Sequence, residues 1–496
     1  MTAIVSAPQP SFSFARRYGA VLKGWSDAGQ ALIAHRADTQ LEAFTELRRH
    51  LNAPLKLELV NSEQFDALLQ RCYQNAGAKA QDAVAEFDQR GDLHALADAL
   101  PEPTDLLESS DDAPIIRLLN ALLTEAIKEN ASDVHIEPFE NRVVVRFRVD
   151  GVLKEVLAPQ KAIAAPIASR IKVMAKLDIA ERRLPQDGRI SLKIAGRPVD
   201  VRVSTIPAGH GERIVLRLLD KQAGRMNLRE LGMDPNTLVR LEDIISRPHG
   251  VFLVTGPTGS GKTTTLYASL LTLNDATRNI LTVEDPIEYY IDGIGQTQVN
   301  TKVDMSFSRG LRAILRQDPD IVMVGEIRDF ETAQIAVQAS LTGHLVLSTL
   351  HTNSAIGAVT RLRDMGIEPF LLSSSLVGVL SQRLVRVLDP ALREQYVPSA
   401  NELAWFGEAQ SNPIASLYRP NAAARAKRSG YRGRTGIYEL VQVDDAMRQA
   451  IHQNVAESEL ERLARARTPD IMSDGLQKCL SGITSINEVL RVTRDE

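Results

Sequence analysis

Gly256-Pro257-Thr258-Gly259-Ser260-Gly261-Lys262-Thr263 fits the pattern G-x-x-x-x-G-K-[ST]. The apolar run Val251-Phe252-Leu253-Val254 precedes it and reads as a buried parallel strand, while Thr264 to Leu273 follow with helical character. Strand, glycine-rich loop and helix together form a cradle whose backbone N–H groups turn inward on a phosphate chain. On this reading Gly256, Pro257, Thr258, Gly259, Ser260, Gly261, Lys262, Thr263 and Thr264 bind a nucleotide. Lys262 adds a point charge toward the β/γ-phosphates, and the Thr263 hydroxyl holds Mg²⁺. The positive end of the following helix points at the same anion.

Composition sets the frame around this loop. A chain of 496 residues is too long for a single core and implies about three domains. Hydrophobic residues make up 44% and charged ones 24%, as in a soluble globular protein. The net charge of −4 gives no general basic field for nucleic acid. Cys72 and Cys479 stand far apart, so neither a disulfide framework nor a four-cysteine zinc site is available, which fits a reducing compartment. No stretch approaches the roughly 18 apolar residues of a membrane span, and the N-terminus lacks a signal peptide's apolar core. The expectation is a cytoplasmic protein.

Residues 1–105 are expected to form a small, separate, mostly helical module. Ser11 to Gly24 mixes aromatic and basic residues and reads as an interaction arm or as a first strand and turn. Thr39–Asn52 and Ser62–Gln74 have the apolar spacing of amphipathic helices. Pro101–Asp105 reads as a linker, and Asp111 or Asp112 supplies an N-cap for the helix Ala113–Lys128. Strands follow at 133–137, 142–149 and 152–157, then a helix at 164–176, then strands at 189–194, 197–204 and 212–219. Residues 106–220 therefore read as an α+β domain. Its arginines, Arg182, Arg183, Arg189, Arg197, Arg202, Arg213 and Arg217, form a solvated sheet face or reach a nucleotide across a domain interface. Residues 221–235 read as the interdomain linker.

From Leu238 strands and helices alternate, which predicts a parallel sheet with helices on both faces over residues 236–388. Asn279–Val283 runs into Glu284-Asp285-Pro286-Ile287-Glu288, and acids at the C-terminal end of a parallel strand point into the ligand crevice. Glu284 or Glu288 is thus a candidate to orient the water that attacks the γ-phosphate. Ile321–Glu326 is a second such strand, where Glu326 holds Mg²⁺ through water or positions that water. Leu345–Thr349 is a third, flanked by His344 and His351, both candidate γ-phosphate sensors. Arg309, Arg312 and Arg316 share one helical face, for a neighbouring subunit's nucleotide or as an exposed basic stripe.

The ordered set Gly256–Thr263, Thr282–Tyr289, Ile321–Asp329 and Thr342–Asn353 resembles the Walker A, Asp box, Walker B and His box of the ATPases that power type II secretion and type IV pilus assembly. Arg182–Arg189 with Gly211-Glu212-Arg213 is similar to that family's second N-terminal domain, and Arg432–Glu439 to its C-terminal subdomain. Phe12 to Gly24 resembles the start of the general secretion pathway protein E group. The resemblance implies a multidomain α/β fold in which a RecA-like P-loop domain follows a PAS-like α+β domain and the N-terminal module. It further implies a homo-hexamer in which ATP hydrolysis drives pseudopilus assembly and protein export. The catalytic set carried over is Lys262, Glu326, His351 and one of Glu284 and Glu288. Arg189, Arg202 and Arg217 would reach nucleotide, and residues 1–105 would dock on an inner-membrane platform protein, holding the ATPase peripherally on the cytoplasmic face.

Two alternatives share the core. A pilus extension motor carries every box. A nucleic-acid-translocating ring is disfavoured by the net charge of −4 and by the want of a basic, aromatic-lined groove. A nucleotide-binding module without turnover would not need acids at both strand ends. One departure from the family stands out within residues 389–496, read as the C-terminal subdomain. Many members place two C-x-x-C pairs before the Arg-Gly-Arg-Thr-Gly segment, but here Asp389 to Tyr431 holds no cysteine and no histidine. Zinc is therefore not expected. Metal analysis of the purified protein should return no stoichiometric zinc, and one zinc per chain would overturn this expectation.

Overall fold

Phe252 and Val254 point to one side of their strand and Val251 and Leu253 to the other, yet all four are 2% exposed or less. Such a strand needs a covering layer on both faces. The computed structural model describes residues 18–61 apart from 27 and 28, a few positions on either side of that stretch, and 114–194, 197–220, 226–406, 416–426 and 430–493. The linker at Pro101–Asp105, the cap at Asp111 or Asp112 and most of Ser62–Gln74 lie outside the described residues. The chain divides into two units, Met1–Lys221 and Gln222–Glu496.

The first unit begins with β1 (Ala20–Trp25), β2 (Ala31–His35) and β3 (Leu55–Leu59), which form one sheet in that order. The helix Leu41–Leu51 connects β2 to its parallel neighbour β3, and Leu47 and Leu51 bury against the sheet residues Leu22 and Ile33. Among the described residues of this module three strands, which the expectation did not include, stand beside the helix. The helix sits where its spacing put it, but β2 and β3 are five residues each, too short for a clear period-two signal.

A six-stranded sheet follows: β4 (Ala131–Pro138), β5 (Val143–Val149), β6 (Val152–Leu157), β7 (Gln186–Ile194), β8 (Arg197–Ala208) and β9 (Gly211–Asp220), in the order β6-β5-β4-β9-β8-β7. All pairs are antiparallel. Helices Pro114–Lys128 and Ala164–Met174 cover one face, where Val143, Val145 and Phe147 are completely buried. The opposite face carries charge. Asp133 pairs with Arg217 at 2.9 Å and Arg148 at 3.6 Å, and Glu137 pairs with Arg146 at 2.5 Å and Arg213 at 2.6 Å.

The second unit is built on β10 (Gly250–Thr255), β11 (Ile280–Glu284), β12 (Ile294–Gln298), β13 (Ile321–Val324), β14 (Leu345–Leu350) and β15 (Leu376–Leu388). β16 (Arg393–Tyr396) and β17 (Leu417–Pro420) make a separate antiparallel ribbon, and β18 (Tyr431–Gln442) returns to the main sheet. The main sheet runs β12-β11-β13-β14-β10-β15-β18, parallel throughout except for the antiparallel edge pair β15–β18. Helices Pro235–Ile245 and Lys262–Leu273 cover one face. Phe307–Ile314, Phe330–Leu341 and Ala355–Asp364 cover the other. Each buried Val, Leu or Phe of β10 contributes about 1.5–3 kcal/mol. No helix among the described residues is long and apolar enough to cross a membrane.

The C-terminal helices Ile471–Leu480 and Ile486–Thr493 pack on Val385 and Ile437 of β15 and β18. Glu488 fastens this layer, accepting from Arg386 at 2.5 Å and Arg491 at 2.9 Å. Burial alone would raise its carboxyl pKa, but the two guanidinium groups overcome this and hold it down to about 2. A depressed pKa gives stability that is complete above about pH 4.5 and lost as pH falls toward 2. Glu488→Gln should therefore lower stability at neutral pH by about 1.5–3 kcal/mol and flatten the acid limb of the unfolding curve. Denaturant titrations from pH 7 down to pH 2.5 measure both effects.

Candidate nucleotide site

The loop after β10 leads into a helix whose N-cap is Gly261, in the left-handed region at φ 89° and without any side-chain cap. The first N–H groups of that helix are left for a ligand. Gly256 also has positive φ, 143°, and a Cβ there would stand 2.4 Å from the Gln382 carbonyl oxygen. One at Gly261 would stand 2.8 Å from Gln382 Nε2. Both glycines are thus required by the backbone angle and by the neighbouring strand.

Gln382 on β15 is the residue that motif reading missed. It is 1% exposed, donates to the Ser260 carbonyl at 2.6 Å and accepts from the Thr265 hydroxyl at 2.7 Å. The loop is therefore braced from behind by a strand more than a hundred residues away. Its neighbour Arg383, 5% exposed, donates to the Asn353 carbonyl at 2.9 Å and so ties down the loop that carries His351. A buried glutamine and a buried arginine within an apolar strand were the available signals. Ser260 is 3% exposed and its hydroxyl has no partner. Pro257, Thr258 and Gly259 are exposed, as is Thr263, and Thr264 is half-buried.

Lys262 is 8% exposed, and its ammonium donates to the carbonyls of Gly256 at 2.7 Å and Pro257 at 3.1 Å. Burial pushes its pKa down to about 8, Glu326 opposing and Arg383 adding to the shift. Glu326, two residues past β13, pairs with Arg328 and stands 3.4 Å from His351 Nε2. Partial burial and the nearby Lys262 lower the His351 pKa, against the pull of Glu326. Glu284 ends β11 at 3% exposure. Its oxygens accept from the Thr282 hydroxyl at 2.6 Å, from Gln296 Nε2 at 3.0 Å and from the Tyr267 hydroxyl. Glu288 is half-buried on the following loop, with its backbone N–H 3.2 Å from the Tyr267 oxygen.

β10, β11, β13 and β14 are parallel, so the phosphate loop, Glu284, Glu288, Glu326 and His351 all follow C-terminal strand ends at one edge of the sheet. His344 does not join them. It precedes β14, where its ring bonds the Ala339 carbonyl at 2.9 Å, and a six-residue strand of roughly 20 Å separates it from His351. The reading of His344 as a phosphate sensor is corrected by the direction of its strand. Arg309 pairs with Asp304 at 2.5 Å and Arg312 with Glu331 at 2.6 Å, each within the second unit.

In the first unit Arg189 stands opposite Arg202, and Arg202 opposite Arg217, across β7, β8 and β9. Sheet pairing thus lines up three arginines that are well separated along the chain. In the zinc-motif interval Glu394 accepts from Arg419 at 2.9 Å and Arg425 at 2.7 Å, and Arg419 lies 4.3 Å from the Tyr396 ring centre. Guanidinium groups gathered on one carboxylate do not fit a zinc site, which takes thiolates or imidazoles. The hydroxyl of Thr263 and the carboxylate of Glu326 are hard oxygen donors of the kind Mg²⁺ takes.

The family model for type II/IV secretion system proteins matches residues 108–491, and the model for the first N-terminal domain of GSPII protein E matches residues 9–73. A type II secretion system protein E of Pseudomonas aeruginosa is 60% identical over 485 residues, 98% of this chain and 96% of that protein. A type II secretion system ATPase E of Vibrio cholerae is 58% identical over the same shares. Among solved structures, the pilus retraction motor PilT with bound ADP aligns with TM-score 0.53 and 26% identity, over 75% of this chain and 96% of that one. The Legionella pneumophila ATPase DotB shares the fold with TM-score 0.58 and 21% identity, over 82% of this chain and 100% of that one.

An anion in the loop restores the charge of Lys262. A polyphosphate binding at about pH 8.5 should therefore take up a fraction of a proton, and little at about pH 7. Calorimetry in two buffers of different ionisation enthalpy reads this uptake, and buffer-independent heats at the higher pH would contradict it.

Proposed function

The chain belongs to the type II/IV secretion system protein family, and on that basis we propose that it is the ATPase of a type II secretion system, hydrolysing ATP to ADP and phosphate to drive pseudopilus assembly and protein export. The observation that carries the reading is the convergence, at one sheet edge, of a phosphate loop with Glu288, Glu326 and His351. Binding alone would need the loop and its helix end. Hydrolysis also needs an aligned water and stabilisation of the charge that develops on the γ-phosphoryl group.

ATP lies along Gly256–Thr264, its phosphates meeting the N–H groups of the loop and of the first helical turn. Lys262 exchanges its two carbonyl partners for β/γ-oxygens. Thr263 and, through water, Glu326 would hold Mg²⁺, which would supply neutralisation of the phosphate charge. His351, whose pKa partial burial and Lys262 lower, is proposed to make one hydrogen bond at the γ-phosphate.

Of the two Asp-box acids, Glu288 is the one proposed to orient and deprotonate the water. Both oxygens of Glu284 already accept from three donors, the buried Thr282 and Tyr267 and the half-buried Gln296. A nucleotide-contacting role for Arg189, Arg202 and Arg217 is proposed on the family resemblance alone; Asp133 already offsets Arg217.

The finer proposals are a homo-hexamer, and docking of residues 1–105 on the cytoplasmic domain of an inner-membrane platform protein. The protein would then sit peripherally on the cytoplasmic face without nucleic acid. The match of a protein E N-terminal domain at residues 9–73 supports the docking reading, and the 60% identity to a type II protein favours secretion over pilus extension.

Glu288→Gln should lower the ATP turnover number by at least about 100-fold with little change in ADP affinity. Glu284→Gln should cost less than about tenfold, because an amide still accepts from Tyr267. Phosphate release and ADP titration on the full chain measure these. The opposite ranking would move the water-activating role to Glu284, and near-parental turnover in both, with Lys262→Ala also active, would end the assignment of hydrolysis to this site.

A further inference from the structure

Tyr267 lies five residues into the helix that begins at the phosphate loop, and it is completely buried. A phenol in such a place usually satisfies its hydroxyl with one partner. Here the hydroxyl has three from different segments, one of them Gln296 Nε2 at 3.5 Å. It donates to the Glu284 carboxylate at the end of β11 and accepts the backbone N–H of Glu288 at 3.2 Å. Burial, reinforced by Glu284, pushes its pKa far upward, so the donating proton stays in place.

The surroundings make this contact stiff. Glu284 is itself fixed by Thr282 and Gln296. Gln296 on β12 also donates to the Tyr289 carbonyl at 3.1 Å and accepts the Ile291 N–H at 2.7 Å. The Tyr289 ring stands edge-on to Tyr267 with centroids 4.6 Å apart. The loop 285–291 is therefore held at Glu288, Tyr289 and Ile291 by one buried polar cluster. Only Tyr267 in that cluster belongs to the phosphate-loop helix.

We propose that Tyr267 is a positioning residue for hydrolysis: its hydroxyl, anchored on Glu284, fixes the backbone of Glu288 to the helix that starts at the phosphate loop. Any adjustment of that helix when phosphates fill the loop is carried directly to the carboxylate that orients the water. A misplacement of about 1 Å in such a group costs on the order of 100-fold in rate, whereas phosphate contacts depend on the loop and are unaffected. This inference rests on the assignment of Glu288 as the water-activating acid.

The test is Tyr267→Phe in the full-length protein, which removes the hydroxyl and keeps the ring. The expected result is a fall in kcat of about tenfold or more, with KM for ATP and affinity for ADP within about twofold of the parent. Parental kcat would overturn the proposal, as would a loss of ADP affinity as large as the loss of kcat, which would mark general damage to the loop. Should the Phe variant fail to fold, Gln296→Met removes the other brace of the same loop, and the same split is expected from it; parental kcat there overturns the proposal. Glu288→Gln run alongside separates the two layers. A dead Glu288→Gln with a parental Tyr267→Phe sinks the positioning role alone, and an active Glu288→Gln sinks the assignment beneath it.

Discussion

The unsatisfied backbone N–H groups at the start of the helix Lys262–Leu273 are the constraint on which the second unit depends. A helix usually closes its first turn with a Ser, Asp or Asn side chain, as Asp329, Ser306 and Ser354 do for three helices nearby. Gly261 cannot do so, and the loop before it must hold an open shape. The support comes from within the fold. Lys262 turns back onto two loop carbonyls, and Gln382 grips Ser260 and Thr265 from the next strand. The cradle is kept ready at the cost of a buried ammonium whose pKa is depressed to about 8.

Strand direction does the rest of the assembly. In a parallel sheet every C-terminal end lies at one edge, so residues far apart along the chain come to face one crevice. Lys262 and Glu326 interact electrostatically across it, and Glu326 reaches His351. The pairing of Glu326 with Arg328 keeps the acid partnered, which avoids leaving a charge alone in a half-buried place. The same logic appears at β16–β17, where Glu394 gathers two arginines in the interval that many relatives pin with zinc. Those ion pairs are partly exposed and individually weak, so the ribbon draws on stacking as well, with Arg393 4.9 Å from the Tyr418 ring and Arg419 4.3 Å from that of Tyr396.

Local sequence determined much of this protein. The loop Gly256–Thr263 was legible because cradling phosphate demands glycine at positions of positive φ, and Gly256, Gly259 and Gly261 have it. Long periodic helices such as Pro114–Lys128 were legible from one apolar stripe, and the alternating strand Val143–Val149 from its buried valines. The resemblance to secretion ATPases rested on the same short, ordered boxes, and the family match over residues 108–491 agrees with it. Short strands such as β2 and β3 left no period to count and were missed.

Tertiary structure alone decided which residues share the crevice and which are spent inside the fold. Sequence placed Glu284 and Glu288 one helical turn apart in a single acidic segment and had no means to rank them. The fold gives them different surroundings: Glu284 turns inward onto Tyr267, Thr282 and Gln296, while Glu288 stands on the loop that follows β11. His344 and His351 look alike as flanks of one strand, but the strand's direction sends them to opposite edges of the sheet. Gln382 had no motif around it, since its role exists only where β15 lies beside β10. Backbone chemistry is written locally and can be read from the chain. Hydrogen-bond partnership and facing direction depend on residues far away in sequence, and only the packed sheet supplies them.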